Sequence, residues 1–284
     1  PVTGGKAGST AVTATVDGKS STISVSVVAG APASVVPVAG SGQLGIAGES
    51  FLMPFTVEVR DDYGNAVGAG TSVQFLTTSG SIVGGSFKWT DASGQASATW
   101  TPASTGSQTL TARYSTGVQT AITAQVTTLA LGITTAPAAT TYNGMAMNPA
   151  PAVQLRFASN GSPYGKSGKT VTASLTGNTT SMSITGNTAV TNASGIATFS
   201  NLTVNGVEGP VMLRFSTSVP SAQVTSTTET LLRGGTATKL AIDSQPPASA
   251  VSGRTLSRAP VVQLRDANNN ASPQAGVVIT ATAS

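Results

Sequence analysis

Apolar and polar residues alternate along this chain in short runs. Phe55, Val57 and Val59 are interleaved with Thr56, Glu58 and Arg60. Val153, Leu155 and Phe157 alternate with Gln154 and Arg156, and Leu110, Ala112 and Tyr114 with Thr111 and Arg113. A period of two places successive side chains on opposite faces of an extended backbone, so each run predicts a β-strand with one buried and one solvated face. Clusters of Gly, Asn, Asp and Ser interrupt the runs at intervals of about 10 residues. No segment carries an apolar stripe at helical spacing. Short strands, frequent turn signals and no helices predict an all-β chain built as tandem Ig-like β-sandwiches.

The runs recur as larger units. The stretch VEVRDDYGNAVGAGTSVQF (57–75) is echoed by VQLRFASNGSPYGKSGKTVTA from Val153 and by VQLRDANNNASPQAGVVITA from Val262, with Arg60, Arg156 and Arg265 in the same place. Gly70, Gly168 and Gly276 each stand three residues before an aliphatic: Val73, Val171 and Ile279. TDASGQASATW (90–100) is matched by TNASGIATFSN (191–201), and the segments beginning at Gly8, Gly106 and Gly209 also correspond. Corresponding positions lie roughly 95 to 110 residues apart, a domain-sized period rather than a solenoid repeat.

This period divides the chain into the last strands of one sandwich (1–30), two full sandwiches (31–128 and 129–233), and the first strands of a fourth (234–284). The connecting segments are short and strand-like, which restricts bending and favours an extended array. The chain begins at Pro1, which reads as a piece of something longer. Its end strands are expected to be completed by sequence outside the segment or, head to tail, by a neighbouring subunit.

Composition narrows the function classes. Of 284 residues, 39% are hydrophobic but only 5% aromatic and 8% charged, so the cores must rest on Val, Ala, Leu and Ile. The net charge of +4 comes with no basic run and no bases interleaved with aromatics, so nucleic acid is not an expected partner. The absence of Cys and His excludes thiol nucleophiles, disulfides, Cys/His zinc sites and the usual general base. No apolar run approaches the ~18 residues of a membrane span, so no membrane insertion is expected of this segment.

The combination VEVRDDYGNAVGAGTSVQF, TDASGQASATW and GSQTLTARY resembles the bacterial immunoglobulin-like (Big) repeats of the invasin and intimin type. The matching positions are Asp61, Gly64, Asn65, Val73, Phe75, Thr90, Asp91, Gly94 and Ala96. The second repeat departs from the pattern, with Phe157 and Ala158 in place of the acids and Asn192 in place of Asp91. The resemblance implies a rod-like extracellular segment of a bacterial surface protein that holds a binding region away from the cell. The family's membrane-anchoring barrel and its Cys-containing lectin-like tip are not in this segment.

Four groups of residues compete as sites. Asp61 and Asp62 with Asn65 suggest a calcium loop, but three oxygen donors are few, and Asp and Asn equally cap turns. GKSGKT (165–170) imitates a phosphate loop, but Pro163 stands where that pattern requires Gly and a strand follows, so a hairpin loop is expected. The aromatics Tyr63, Phe87, Trp89, Trp100 and Tyr114 are read mainly as core or hairpin packing, with glycan contact as the alternative. Lys239 on a first strand raises a Lys–Asn crosslink, but its partner strand is missing. Asn-x-Ser/Thr sequons at Asn160, Asn178, Asn192, Asn201 and Asn270 arise easily in so Ser/Thr-rich a chain.

No catalytic, cofactor-binding or metal-ligating residue is assigned, no cofactor is expected, and the chain is not expected to be an enzyme. The expected function is a structural and adhesive spacer on a bacterial surface or in a secreted protein. Its partners would be other protein chains, through self-assembly or a surface receptor, or glycans. A filament subunit joined by strand complementation, an accessory carbohydrate-binding module of a secreted enzyme, and a phage virion protein are the alternatives.

Overall fold

The computed structural model describes residues 4–177 and 179–282. Among them every regular element is a strand. The chain forms two compact units, Pro1–Leu129 with Phe157–Ser159, and Ala130–Arg156 with Asn160–Ser284.

The first unit opens with a hairpin of β1 (Gly8–Val16) and β2 (Lys19–Val27), paired in register from Gly8↔Val27 to Val16↔Lys19. Its turn is two residues long, Asp17 and Gly18, both at positive φ (49° and 72°), the backbone that two-residue hairpins require. The first sandwich follows with β3 (Ser34–Ala39), β4 (Leu44–Ile46), β5 (Phe55–Arg60), β6 (Ser72–Thr77), β7 (Ser81–Ile82), β8 (Phe87–Trp89), β9 (Gln95–Ala98), β10 (Trp100–Thr101), β11 (Gly106–Arg113) and β12 (Gln119–Thr127). One layer has the order β3-β5-β9 and the other β4-β12-β11-β6-β8, with β10 paired to β7 at the side.

The second unit repeats this plan with β13 (Leu129–Thr135), β14 (Thr140–Tyr142), β15 (Ala152–Phe157), β16 (Thr170–Thr176), β17 (Met182–Thr185), β18 (Thr188–Val190), β19 (Ile196–Thr198), β20 (Thr203–Gly206), β21 (Gly209–Ser218), β22 (Ser221–Thr225) and β23 (Thr230–Arg233). Its layers are β13-β15-β19 and β14-β23-β21-β16-β18, with β17 paired to β20 and β22 added against β21. β24 (Lys239–Ser244) and β25 (Val261–Arg265) then pair with each other. In both sandwiches the short strand that pairs in parallel with the last strand (β4 with β12, β14 with β23) crosses from one layer to the other. This is the two-layer Ig-like arrangement.

The alternation in the sequence places the core. Phe55, Val57, Val59, Val73, Phe75, Leu110 and Ala112 are all buried, as are Val153, Leu155, Val171, Ala173, Leu213 and Phe215 in the second sandwich. Two polar positions between them, Thr56 and Gln154, are also covered: Thr56 shares a hydroxyl hydrogen bond of 2.8 Å with Ser97, and the Gln154 amide donates to the Ser194 carbonyl at 3.2 Å. Tyr114 corrects the alternation, because β11 ends at Arg113 and the ring lies 45% exposed in the turn beyond it. Trp100 is fully buried against Phe51 (centroids 5.2 Å apart), and its indole N–H donates to the Ser79 carbonyl at 2.8 Å.

The two cores fill one shared volume in opposite ways. Phe75 on β6 faces Ala112 on β11, whereas the equivalent pair in the second sandwich is Ala173 facing Phe215. The ring has moved from one strand to its neighbour, and the small residue has moved the other way. Close-packed interiors tolerate such exchanges only when the pair keeps its total volume. Phe75→Ala alone is therefore expected to cost about 3–5 kcal/mol in urea denaturation. Adding Ala112→Phe should restore most of it, and a double variant no more stable than the single one would refute the exchange.

Candidate functional site: the acidic turn and its partner turn

The turn after β5 is built around one carboxylate. Asp61 Oδ1 accepts the backbone N–H groups of Tyr63 (2.9 Å) and Asn65 (2.8 Å), while Oδ2 accepts the Asn65 side-chain amide (3.0 Å) and the backbone N–H of Gly30 (2.8 Å). Four donors occupy the four lone-pair directions of the two oxygens, so no acceptor capacity of Asp61 is left for a cation. Asp61 is 5% exposed, whereas Asp62 points to solvent. Asn65 continues the network: its side-chain oxygen accepts the Ala7 N–H (2.8 Å), and its amide also donates to the Gly5 carbonyl (3.1 Å).

The third copy of the turn repeats this set. Asp266 Oδ1 accepts the N–H groups of Asn268 and Asn270, both at 2.9 Å. Its Oδ2 accepts the Asn270 side-chain amide and the Gly235 N–H, both at 3.0 Å. Asn270 accepts the Glu208 N–H (2.9 Å) and donates to the Gly206 carbonyl (2.8 Å), as Asn65 does with Ala7 and Gly5. The repeated arginine supports the turn in two copies. Arg156 donates to the Gly161 carbonyl at 2.9 Å and Arg265 to the Asn269 carbonyl at 2.8 Å, while Arg60 pairs instead with Glu58 at 2.7 Å.

The TDASG and TNASG turns do not form hairpins but carry the chain from one layer to the other (β8 to β9 and β18 to β19), and they pin the other end of the loop. The Thr90 hydroxyl donates to the Gly68 carbonyl (2.8 Å) and accepts the Thr71 N–H (2.9 Å). The Thr191 hydroxyl donates to the Lys166 carbonyl (2.7 Å) and accepts the Lys169 N–H (3.0 Å). Gly168 N–H also donates to the Thr191 carbonyl, at 2.9 Å. The backbone donors of GKSGKT thus close a loop that passes from one layer to the other, which corrects the expected hairpin because β15 and β16 do not pair, and β16 begins at Thr170 where a phosphate loop would open a helix. Within the TDASG and TNASG turns, Asp91 accepts the Ser93 and Gln95 N–H groups through Oδ1 alone, and Asn192 does the same for Ser194 and Ile196. Gly94 and Gly195 adopt positive φ (74° and 73°), and a Cβ there would stand 2.5 Å and 2.1 Å from the Val67 and Tyr164 carbonyl oxygens.

The aromatic candidates separate. Trp100 is core, but Trp89 and Phe87 are 68% and 59% exposed on β8 at the edge of the larger layer, which corrects their reading as packing residues. Tyr63 is also exposed. The Lys239 ammonium donates to the Ala267 carbonyl at 2.8 Å. Among the described residues no three of His, Cys, Asp and Glu gather as a metal site, and no helix is long and apolar enough to cross a membrane. A concavity of about 500 Å³ in the second unit is lined by Glu208 and Glu229 with Met182, Val207 and Pro210, and the Glu208 carboxylate accepts the Gly234 N–H at 2.6 Å. Of the sequons, Asn192 and Asn270 are engaged in turn hydrogen bonds, and Asn178 lies outside the described residues.

No protein-family model and no curated protein sequence matches the chain. Solved structures of similar form do exist. The solved structures that it resembles include bacterial adhesins of the invasin and intimin type. The adhesin InvE of Yersinia pseudotuberculosis is 19% identical with a TM-score of 0.33, covering 70% of this chain and 58% of that one, less than two thirds of its length. The C-terminal 282-residue fragment of intimin, solved with the intimin-binding domain of its translocated receptor, is 17% identical with a TM-score of 0.32, covering 75% and 67%. The Escherichia coli adhesin FdeC is 15% identical with a TM-score of 0.35, covering 86% and 77%. At these identities the likeness is one of fold.

Two outcomes follow from the turn chemistry. The amide of Asn65 foremost, and then the Gly30 N–H, hold the Asp61 carboxyl down from its ordinary 3.8 to about 2 against the opposing effect of burial. At Asp266 burial pushes the pKa up, but the donors from Gly235, Asn270 and Asn268 outweigh it and the net direction is down. A carboxylate favoured in the folded state stabilises fully above its unfolded pKa and loses that contribution as pH falls through the folded one. NMR titration of the Asp61 side-chain carbon should thus show a midpoint near 2, and a midpoint at 3.8 would contradict the geometry. Separately, Thr90→Val removes the bonds to the exposed Gly68 carbonyl and the half-buried Thr71 N–H and is expected to cost about 1–2 kcal/mol in thermal or urea unfolding. Asp91→Asn should change stability by under about 0.5 kcal/mol, since Asn192 makes the same bonds in the corresponding turn of the second sandwich.

Proposed function

We propose that the chain is a structural and adhesive spacer segment of a bacterial cell-surface or secreted protein. In this reading, serial Ig-like sandwiches set the reach of a binding region and the partners are other proteins. The observation that carries the reading is repetition. One sandwich plan appears twice and one turn three times, while the side chains that looked like chemistry serve the backbone. Asp61, Asp266, Thr90 and Thr191 all direct their polar atoms at N–H or C=O groups of neighbouring loops. The resemblance of residues 57–75, 90–100 and 106–114 to invasin and intimin repeats supports the surface setting. Intimin is solved with its translocated receptor, and invasin is described as integrin-binding; a protein receptor for this chain is part of the proposal. It is non-enzymatic and needs no cofactor or calcium.

A second reading, a carbohydrate-binding accessory module, is favoured by one feature. Trp89 and Phe87 sit two residues apart on one face of the edge strand β8, and both are exposed. The two readings separate in a single assay. The purified chain is measured for retention on immobilised cell-surface proteins and on polysaccharide columns, alongside Trp89→Ala. The spacer-adhesin reading expects no polysaccharide retention and no effect of Trp89→Ala. Retention on a polysaccharide that Trp89→Ala abolishes without changing the melting temperature would replace it with the carbohydrate reading.

A further inference from the structure

Two steps from one repeat to the next lie inside the compact units, and the same hydrogen bonds span both. At the first, Asp61 reaches the linker at Gly30 and Asn65 reaches Gly5 and Ala7 ahead of the β1–β2 hairpin. At the second, Asp266 reaches the linker at Gly235 and Asn270 reaches Gly206 and Glu208 ahead of β21. We propose that an Asp followed four residues later by an Asn forms a junction lock, in which the turn of one repeat fixes the linker and the preceding hairpin of the repeat before it. The lock concerns how successive repeats are joined, and it goes beyond the adhesive reading.

The donor arrangement decides which residue can sit first. Both oxygens of Asp61 and both of Asp266 accept two N–H groups each. An asparagine there would turn its NH₂ toward one pair of donors whichever way it flipped, leaving N–H groups unpaired in a part-buried turn at Asp61 and a buried one at Asp266. The turn between the layers behaves differently, because only one oxygen of Asp91 or Asn192 is used, and the chain carries both residues there. The same test explains the remaining copy of the turn: Phe157 and Gly161 stand at the two lock positions and supply neither a carboxylate nor an amide.

The second lock is reinforced. Asn268 donates to the Asn143 side-chain oxygen at 3.0 Å, the Asn143 amide donates to the Gly206 carbonyl, and the Ser272 hydroxyl donates to the Gly235 carbonyl at 2.8 Å. The linker approaches so closely that a Cβ on Gly235 would lie 2.2 Å from the Asn143 carbonyl oxygen. Asn143, Asp266, Asn270 and Ser272 are polar, buried and mutually satisfied, the condition under which a hydrogen-bond network specifies one geometry.

The chain has no cysteine, so paired labels can be placed without background. Spin labels at Ser20→Cys and Gln119→Cys, exposed sites on the hairpin and the first sandwich, report the first junction in the full chain. Asp61→Asn should at least double the width of the distance distribution and raise amide exchange at Gly30 about tenfold, while Asp91→Asn changes neither. Asn65→Ala, which leaves the donors on Asp61 Oδ1 in place, should also broaden the distribution, and it reads the lock even if Asp61→Asn disturbs the sandwich. Asp266→Asn with labels at Ser221→Cys and Asp243→Cys repeats the measurement at the second junction. Unchanged widths in Asn65→Ala and Asp266→Asn would overturn the proposal, as would broadening by Asp91→Asn equal to that by Asp61→Asn.

Discussion

Each sandwich must close two layers of short strands around a volume that few large side chains are available to fill. With aromatics at 5% of the sequence, a few rings must fill much of that volume. In the first sandwich Phe55, Phe51 and Trp100 cluster, with centroids 4.9 to 5.6 Å apart, and Phe75 packs beside Ala112. In the second, Phe199 and Phe215 meet at 5.1 Å, and Phe215 packs beside Ala173. The volume is held constant while the residue that supplies it changes strand. This lets the two repeats drift in sequence and keep one topology.

Filling the core in this way leaves short strands joined by many loops, whose backbone groups cannot all pair in a ladder. The abundant Thr, Ser, Asn and Asp answer that need. Thr90 and Thr191 close one loop, Asp91 and Asn192 cap the adjoining turn between layers, and Asp61 and Asp266 cap the turns after β5 and β25. Such local side-chain bonds compete with regular structure inside an element and stabilise it at its ends. The low charge content fits this division, because the polar side chains mostly bind backbone rather than one another. Arg60 with Glu58 is the one ion pair among the described residues.

At the junctions the same chemistry reaches beyond one repeat. In the two copies that carry a carboxylate, the oxygen that takes the asparagine side-chain amide also accepts a linker N–H.

Much of the fold was legible from the sequence, and the limits are specific. Alternation at Val57, Val59, Leu110 and Leu155 named core positions correctly because strand periodicity is a local property. The echoes at Arg60, Arg156 and Arg265 exposed the repeat frame, and Asp91 against Asn192 marked a position where only one acceptor oxygen matters. Alternation assigns a face but not the depth of that face, so it could not separate Trp100, sealed between layers, from Trp89, exposed at a sheet edge. It also failed at Tyr114, where the strand had already ended. Asp61 alone raised the possibility of a cation, and its turn bonds were foreseeable from residues two and four positions on. Its bond to Gly30 lies 31 residues upstream and depends on how the linker returns past the turn. The sequence by itself determined the strands, their repeat and the local caps, because these follow from neighbouring residues. The tertiary structure alone decided which rings are covered and what the second oxygen of Asp61 binds, because both depend on segments that meet only after the layers have packed.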